Sequence, residues 1–162
     1  MAHPTRILFV CLGNICRSPL AESVFLHLAR ERGVEYRFEV ESAGTSGYHA
    51  GSPPDSRSVS TARARGVQVE GRSRPITPED VRSFDYVIAM DAENLSEVRA
   101  LVARRGGATR VHRLREWDPS PTDPDVPDPY YGGERGFEDV HDIVERSCAV
   151  LLEYLLVEQE RS

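Results

Sequence analysis

The sequence predicts a three-layer α/β/α fold in which a central four-stranded parallel sheet carries helices on both faces, and three observations support this. Apolar strand-like segments alternate with helical ones along the chain. The first of them, Ile7-Leu8-Phe9-Val10, is apolar on both faces, as a central parallel strand must be. No repeat or low-complexity tract interrupts the alternation, and 162 residues suffice for a single domain, 1–162, with a well-buried core.

The strand at 7–10 leads through a tight turn into a helix that follows Arg17, has Pro19 in its first turn and ends near Gly33. Residues 36–42 alternate with period two and read as a strand with one wetter face. A loop by composition spans 43–54, and a short helix follows over 55–65. Residues 67–69 and 85–91 are further strand candidates. Between them and the last strand, 109–114, lies an amphipathic helix over 94–105 closed by Gly106-Gly107. The final helix, 136–159, sets Phe137, Val140, Val144, Cys148, Leu151 and Leu155 on one side, a stripe that assigns Cys148 to core packing. Right-handed crossovers in such a sheet put the ligand site at the carboxyl ends of the strands.

Composition narrows the function classes. The net charge of −6 leaves no basic footprint for nucleic acid. All twenty basic residues are arginine, which excludes a catalytic lysine. Three cysteines, Cys11, Cys16 and Cys148, make neither a disulfide framework nor a zinc spacing and fit a reducing cytosol. The five histidines, His3, His27, His49, His112 and His141, form no ligand pair at helical spacing and read as surface or satisfied side chains. No apolar stretch is long enough for a signal peptide or a membrane span, so a soluble cytoplasmic protein is expected.

The chemistry concentrates where the first strand meets the first helix. Cys11-Leu12-Gly13-Asn14-Ile15-Cys16-Arg17-Ser18-Pro19 places a thiol in the turn and a guanidinium six residues later. Backbone N–H groups of a turn entering a helix face a concavity, and the helix terminus adds positive charge, so a phosphate can be held there. The same field favours a thiolate. Arg17 can offer two parallel donors to phosphate oxygens. A thiolate that attacks a phosphate ester also needs an acid for the departing oxygen. The long irregular segment 117–133, stiffened by five prolines, supplies Asp118, Asp123, Asp125 and Asp128, and composition does not choose among them.

The cysteine run together with Asp128-Pro129-Tyr130-Tyr131-Gly132 resembles the low-molecular-weight protein tyrosine phosphatases. Ser42-Ala43-Gly44-Thr45, Ala89-Met90-Asp91 and the Asp118-Pro119 step extend the resemblance over nearly the whole chain in the right order. It implies a metal-independent, cofactor-free hydrolase with Cys11 as nucleophile, Arg17 on the phosphoryl oxygens and Asp128 as general acid and then base. It further implies that Ser18 donates to the sulfur and that Asn14 holds the loop together with Ser42. Leu12, Gly13, Asn14, Ile15 and Cys16 would line the substrate site, with Tyr48, Tyr130 and Tyr131 as aromatic walls. Such walls around a deep anion site fit phosphotyrosine, whereas phosphoserine is too short. The implied partners are phosphotyrosyl proteins and the tyrosine kinase that makes them, with no nucleic acid or membrane, and the chain would act as a monomer.

The resemblance also makes Cys16 a resolving thiol for an oxidised Cys11. One departure stands out: Glu70-Gly71-Arg72-Ser73-Arg74 occupies the stretch where many members carry a loop-bracing histidine. Three rivals fit less well. A thioredoxin-coupled arsenate reductase needs further cysteines between Cys16 and Cys148, and a phosphocysteine carrier has little use for Arg17 and an acid. A phosphotyrosine-binding module would not keep both nucleophile and acid.

Overall fold

Ile7, Leu8, Phe9 and Val10 are completely buried because strand β1, Thr5–Cys11, lies inside a sheet covered on both faces. The computed structural model describes residues 3–130 and 134–161. In it β1 pairs in parallel with β2, Phe38–Gly44, on one side and with β3, Tyr86–Ala89, on the other, and β3 pairs with β4, Arg110–Arg113. The strand order is β2-β1-β3-β4, so the direction of winding reverses between β1 and β3, which is where open α/β sheets bind ligands.

The pleat sends alternate side chains of β1 into two different cores. Ile7, Phe9 and Cys11 join the larger one, shared with α1, Arg17–Glu31, and α5, Glu134–Arg161. Leu8 and Val10 join the smaller one, beneath α3, Pro78–Ser83, and α4, Ala92–Arg105. Helix α2, Ser56–Arg63, packs against α5 on the larger side. Phe25 of α1 stands edge-on to Phe38 of β2 at 5.1 Å, and a side chain so buried contributes about 1.5–3 kcal/mol. Cys148 is fully buried in this core and faces the Ala21 carbonyl.

Several boundaries differ from the sequence expectation for identifiable reasons. The strand expected over 36–42 begins at Phe38, because Glu35–Arg37 forms a 3-10 turn that brings the chain from α1 to the sheet edge. Residues 67–69 are not a strand: Val67 and Val69 alternate because they point into the core while their backbone pairs with no strand. Helix α3 was not expected, although its signal stands in the sequence. Thr77 accepts from the Asp80 N–H, Asp80 accepts from the Thr77 N–H, and Pro78 occupies the first turn. His141, read from sequence as a surface or satisfied side chain, is fully buried, with Nε2 3.3 Å from Glu145. Among the described residues no helix is long and apolar enough to cross a membrane.

Candidate active site

Four of the helices begin in ways that single out α1. Asp55, Thr77 and Asp91 cap α2, α3 and α4 with side-chain oxygens, whereas the residue preceding α1, Cys16, gives no side-chain cap. The first N–H groups of α1 are therefore left for something else. One of them, on Ser18, donates to the Cys11 sulfur at 3.4 Å, and the Asn14 N–H donates to it at 3.3 Å. The Ser18 hydroxyl lies 3.0 Å from the same sulfur. Asn14 Nδ2 donates to that hydroxyl oxygen at 2.8 Å, and of the two acceptors for the single hydroxyl proton the sulfur is nearer than the Ala43 carbonyl at 3.4 Å. Cys11, only 2% exposed, sits at the end of β1 with three donors converging on it. Such an arrangement stabilises a thiolate.

Asn14 holds the loop's turn. It adopts φ +55°, a left-handed conformation that asparagine tolerates better than most residues. Its Nδ2 also donates to Ser42 Oγ at 3.0 Å, Ser42 in turn donates to Glu22, and Asn14 Oδ1 accepts the Arg74 N–H. Burial raises the Glu22 carboxyl above its ordinary range, and the Ser42 hydrogen bond opposes that. Gly44 permits the close approach. A Cβ there would stand 2.8 Å from the Leu12 carbonyl and 3.2 Å from Asn14 Cβ, and the carbonyls of Cys11 and Leu12 pair with Thr45 and Ser46 across this contact.

Arg17 is 2% exposed and held at one arm. Its Nη1 donates to Asp91 at 2.7 Å and to the Val126 carbonyl at 2.9 Å, while Nη2 stands 3.5 Å from Asp128. Burial opposes the charge, but Cys11, Asp91 and Asp128 more than offset it, so the guanidinium is held above its ordinary pKa. Asp91 has two tasks, since its other oxygen caps α4. Sequence reasoning noted it only as part of a motif.

The four candidate acids occupy different situations. Asp118 is locked between Arg115 and Arg146, with its carboxylate fully buried. Burial alone would raise its pKa, but Arg146, the Ser120 N–H and Arg115 hold it below the ordinary carboxylate range. Asp125 accepts from the Ala92 N–H and from Arg113, and Asp123 is exposed and turns the chain by accepting the Asp125 N–H. Asp128 alone of the four lines the cleft that contains Cys11 and Arg17.

That cleft has a volume of about 530 Å³. Leu12 and Tyr48 form its rim and Ile15 lies deeper, buried against Cys16, Phe137 and Tyr130. His49, expected on the surface, bridges the aromatic wall: its ring meets Tyr48 edge-on at 4.9 Å and Tyr130 at 5.9 Å, and it packs over Gly13. Tyr131, expected as a further wall, lies outside the described residues. Burial, then Asp55 and Cys11, push the Cys16 thiol well above the ordinary range. Gly71 presents no side chain to the loop, but Arg74, three residues on, does reach Asn14 through its backbone.

Comparison with known proteins agrees with this geometry. A family model described as low molecular weight phosphotyrosine protein phosphatase matches residues 6–161. The human low molecular weight phosphotyrosine protein phosphatase is 40% identical over 148 residues, 91% of this chain and 93% of that protein. A crystal structure of the Entamoeba histolytica protein tyrosine phosphatase, with Hepes in its active site, superposes with a TM-score of 0.91 at 38% identity, covering 96% of this chain and 99% of that one. The crystal structure of a Drosophila arginine phosphatase superposes with a TM-score of 0.87 at 30% identity, covering 92% and 96% of the two chains.

Proposed function

Because the chain belongs to the low molecular weight phosphotyrosine protein phosphatase family, we propose that it hydrolyses phosphotyrosine and other aryl phosphate monoesters through a phosphocysteine intermediate on Cys11. The observation that carries this reading is the meeting of a triply hydrogen-bonded sulfur, a buried guanidinium and the Asp128 carboxyl in one cleft.

In the first step the Cys11 thiolate attacks phosphorus opposite the phenolic oxygen. The S–P bond forms as the P–O bond breaks, and protonated Asp128 gives its proton to the departing phenolate. Arg17, with Nη1 held by Asp91 and Val126, has Nε and Nη2 for two of the phosphoryl oxygens, and the loop amides take up the remaining charge. In the second step Asp128, now a carboxylate, removes a proton from water as the water attacks phosphorus. The S–P bond breaks, inorganic phosphate leaves, and the returning thiolate is met by the Ser18 hydroxyl and the Asn14 and Ser18 amides.

The depth of the cleft and its aromatic wall support an aryl substrate. A phosphate seated above Cys11 lies beneath Tyr48, His49 and Tyr130, so the group that bears it must be long and flat. Leu12 and Ile15 add apolar surface, which suits a phenyl ring better than a phosphorylated guanidinium with N–H groups to satisfy. Phosphotyrosyl proteins are then the substrates and tyrosine kinases their source.

Steady-state hydrolysis of phosphotyrosine, phosphoserine and phosphoarginine peptides in the presence of chelator, for wild type and Cys11→Ser, tests the reading. Release from phosphotyrosine alone is expected, and the variant should lose about 10⁵-fold or more in turnover while still binding phosphate. Substantial turnover by Cys11→Ser would rule out the covalent route, and faster release from phosphoarginine would reassign the substrate.

A further inference from the structure

We propose that Ser73 is a positioning residue for catalysis, fixing the Gly13–Asn14 peptide so that its N–H points at the Cys11 sulfur. The Ser73 hydroxyl donates to the Gly13 carbonyl at 2.9 Å, and the N–H on the other side of the same peptide, that of Asn14, donates to Cys11 Sγ at 3.3 Å. A peptide unit is planar with its C=O and N–H opposed, so a bond that holds one end aims the other. The two hydrogen bonds also polarise the unit in the same sense, strengthening the positive end that faces sulfur. This is the peptide that enters the left-handed turn at Asn14, the one non-glycine residue with positive φ among the described residues, and hence a point where the loop needs outside support.

Ser73 is itself held from both sides. It is 5% exposed, its N–H donates to the Ser52 carbonyl at 2.8 Å, and its carbonyl accepts the Gly51 N–H at 2.7 Å. The next residue, Arg74, donates its N–H to Asn14 Oδ1 at 3.0 Å and pairs through its carbonyl with Gly44. Residues 73 and 74 thus grip the Gly13–Asn14 peptide and the Asn14 side chain together. Gly71 has φ +114° and no atom within 4 Å of a Cβ position, so the support that this segment gives the loop comes from Ser73 and Arg74.

The proposal rests on Cys11 being the nucleophile, and its test reads the sulfur directly. The titratable groups that share the cleft with Cys11 are Cys16, Arg17, Tyr48, His49, Asp128 and Tyr130, all unchanged in a Ser73→Ala variant. Iodoacetamide labelling of Cys11 across pH, followed by peptide mass, is measured with kcat/KM on a phosphotyrosine peptide and with thermal melting. Ser73→Ala should raise the labelling midpoint by about 0.5 pH units or more and lower kcat/KM by about threefold to tenfold. A lower melting temperature with an unchanged labelling midpoint would overturn the proposal and leave Ser73 as packing alone. A raised midpoint in a protein without phosphatase activity would uphold Ser73 and break the functional reading instead.

Discussion

The groups that meet the Cys11 sulfur are its neighbours in the chain, whereas the segment that carries Asp128 is held in place mainly by groups on other elements. Within the loop, Asn14 and Ser18 supply all three groups that meet the Cys11 sulfur. The acid segment depends on Arg115 and Arg146 around Asp118, on Ala92 and Arg113 at Asp125, and on Met90 and Arg17 at the backbone of Val126. Beyond it, Arg57 donates to the Tyr130 carbonyl. Asp128 itself accepts the Tyr130 N–H at 3.0 Å and stands 3.5 Å from Arg17 Nη2, and its side chain is 37% exposed while that of Arg17 is 2% exposed. A nucleophile needs a fixed field built before substrate arrives, whereas an acid that later turns base must be placed near Arg17 and still be reached by water.

Removing the acid is the largest effect expected on that side of the cleft. Asp128→Ala should lower turnover of phosphotyrosine by about two to four orders of magnitude and leave aryl phosphates with good leaving groups much less affected. A series of aryl phosphates of graded leaving-group acidity measures this. An equal loss across the series would mean that Asp128 only shapes the pocket, and the contrast between a fixed nucleophile and a reachable acid would fail.

Asp118→Ala addresses the anchors instead. The change leaves Arg115, itself 2% exposed, without its carboxylate, and should cost about 3–5 kcal/mol in denaturant unfolding. Its pH dependence has a definite sign. Since the folded protein holds Asp118 below the ordinary carboxylate range, its stabilisation is present in full above about pH 4 and is lost as pH falls further. The gap between wild type and Asp118→Asn should therefore be constant from pH 7 to 5 and narrow below about pH 4. A gap that stays constant to pH 2 would mean that the Arg115, Asp118 and Arg146 cluster does not hold the segment through charge.

The same contrast decides what could be read from sequence. Cys11, Arg17 and Ser18 lie in one run between a two-sided apolar strand and a helix start, so the proposed nucleophile, its proposed clamp and the layered fold were all legible there. The strand candidate at 67–69 failed although Val67 and Val69 are both buried, because burial of alternate side chains does not require a paired backbone. Helix α3 could have been found from Thr77-Pro78-Glu79-Asp80. Composition did not choose Asp128 among four aspartates, and the choice came from the resemblance carried by Asp128-Pro129-Tyr130-Tyr131, because the pairing of Asp118 with Arg115 and Arg146 and of Asp125 with Ala92 and Arg113 leaves no local pattern. His49 was invisible for the same reason: its place between Tyr48 and Tyr130 is set by the return of the acid segment across the loop.

The smallest expected effect gives the sharpest separation of anchoring from chemistry. Asp125→Ala frees the Ala92 N–H and Arg113, but Val126 remains tied by its N–H to the Met90 carbonyl at 2.7 Å and by its carbonyl to Arg17 at 2.9 Å. Two retained bonds at Val126, two residues before Asp128, and the Tyr130 N–H on Asp128 itself should keep the acid close to its place, so turnover should fall only about twofold to tenfold. A displaced acid still costs poor leaving groups more than good ones, but far less steeply than loss of the proton donor does. Asp125→Ala should therefore show a much shallower dependence on leaving-group acidity across the aryl phosphate series than Asp128→Ala. A loss that grows as the leaving group worsens, matching that of Asp128→Ala, would move the acid role to Asp125 and make the well-anchored part of the segment the reactive one.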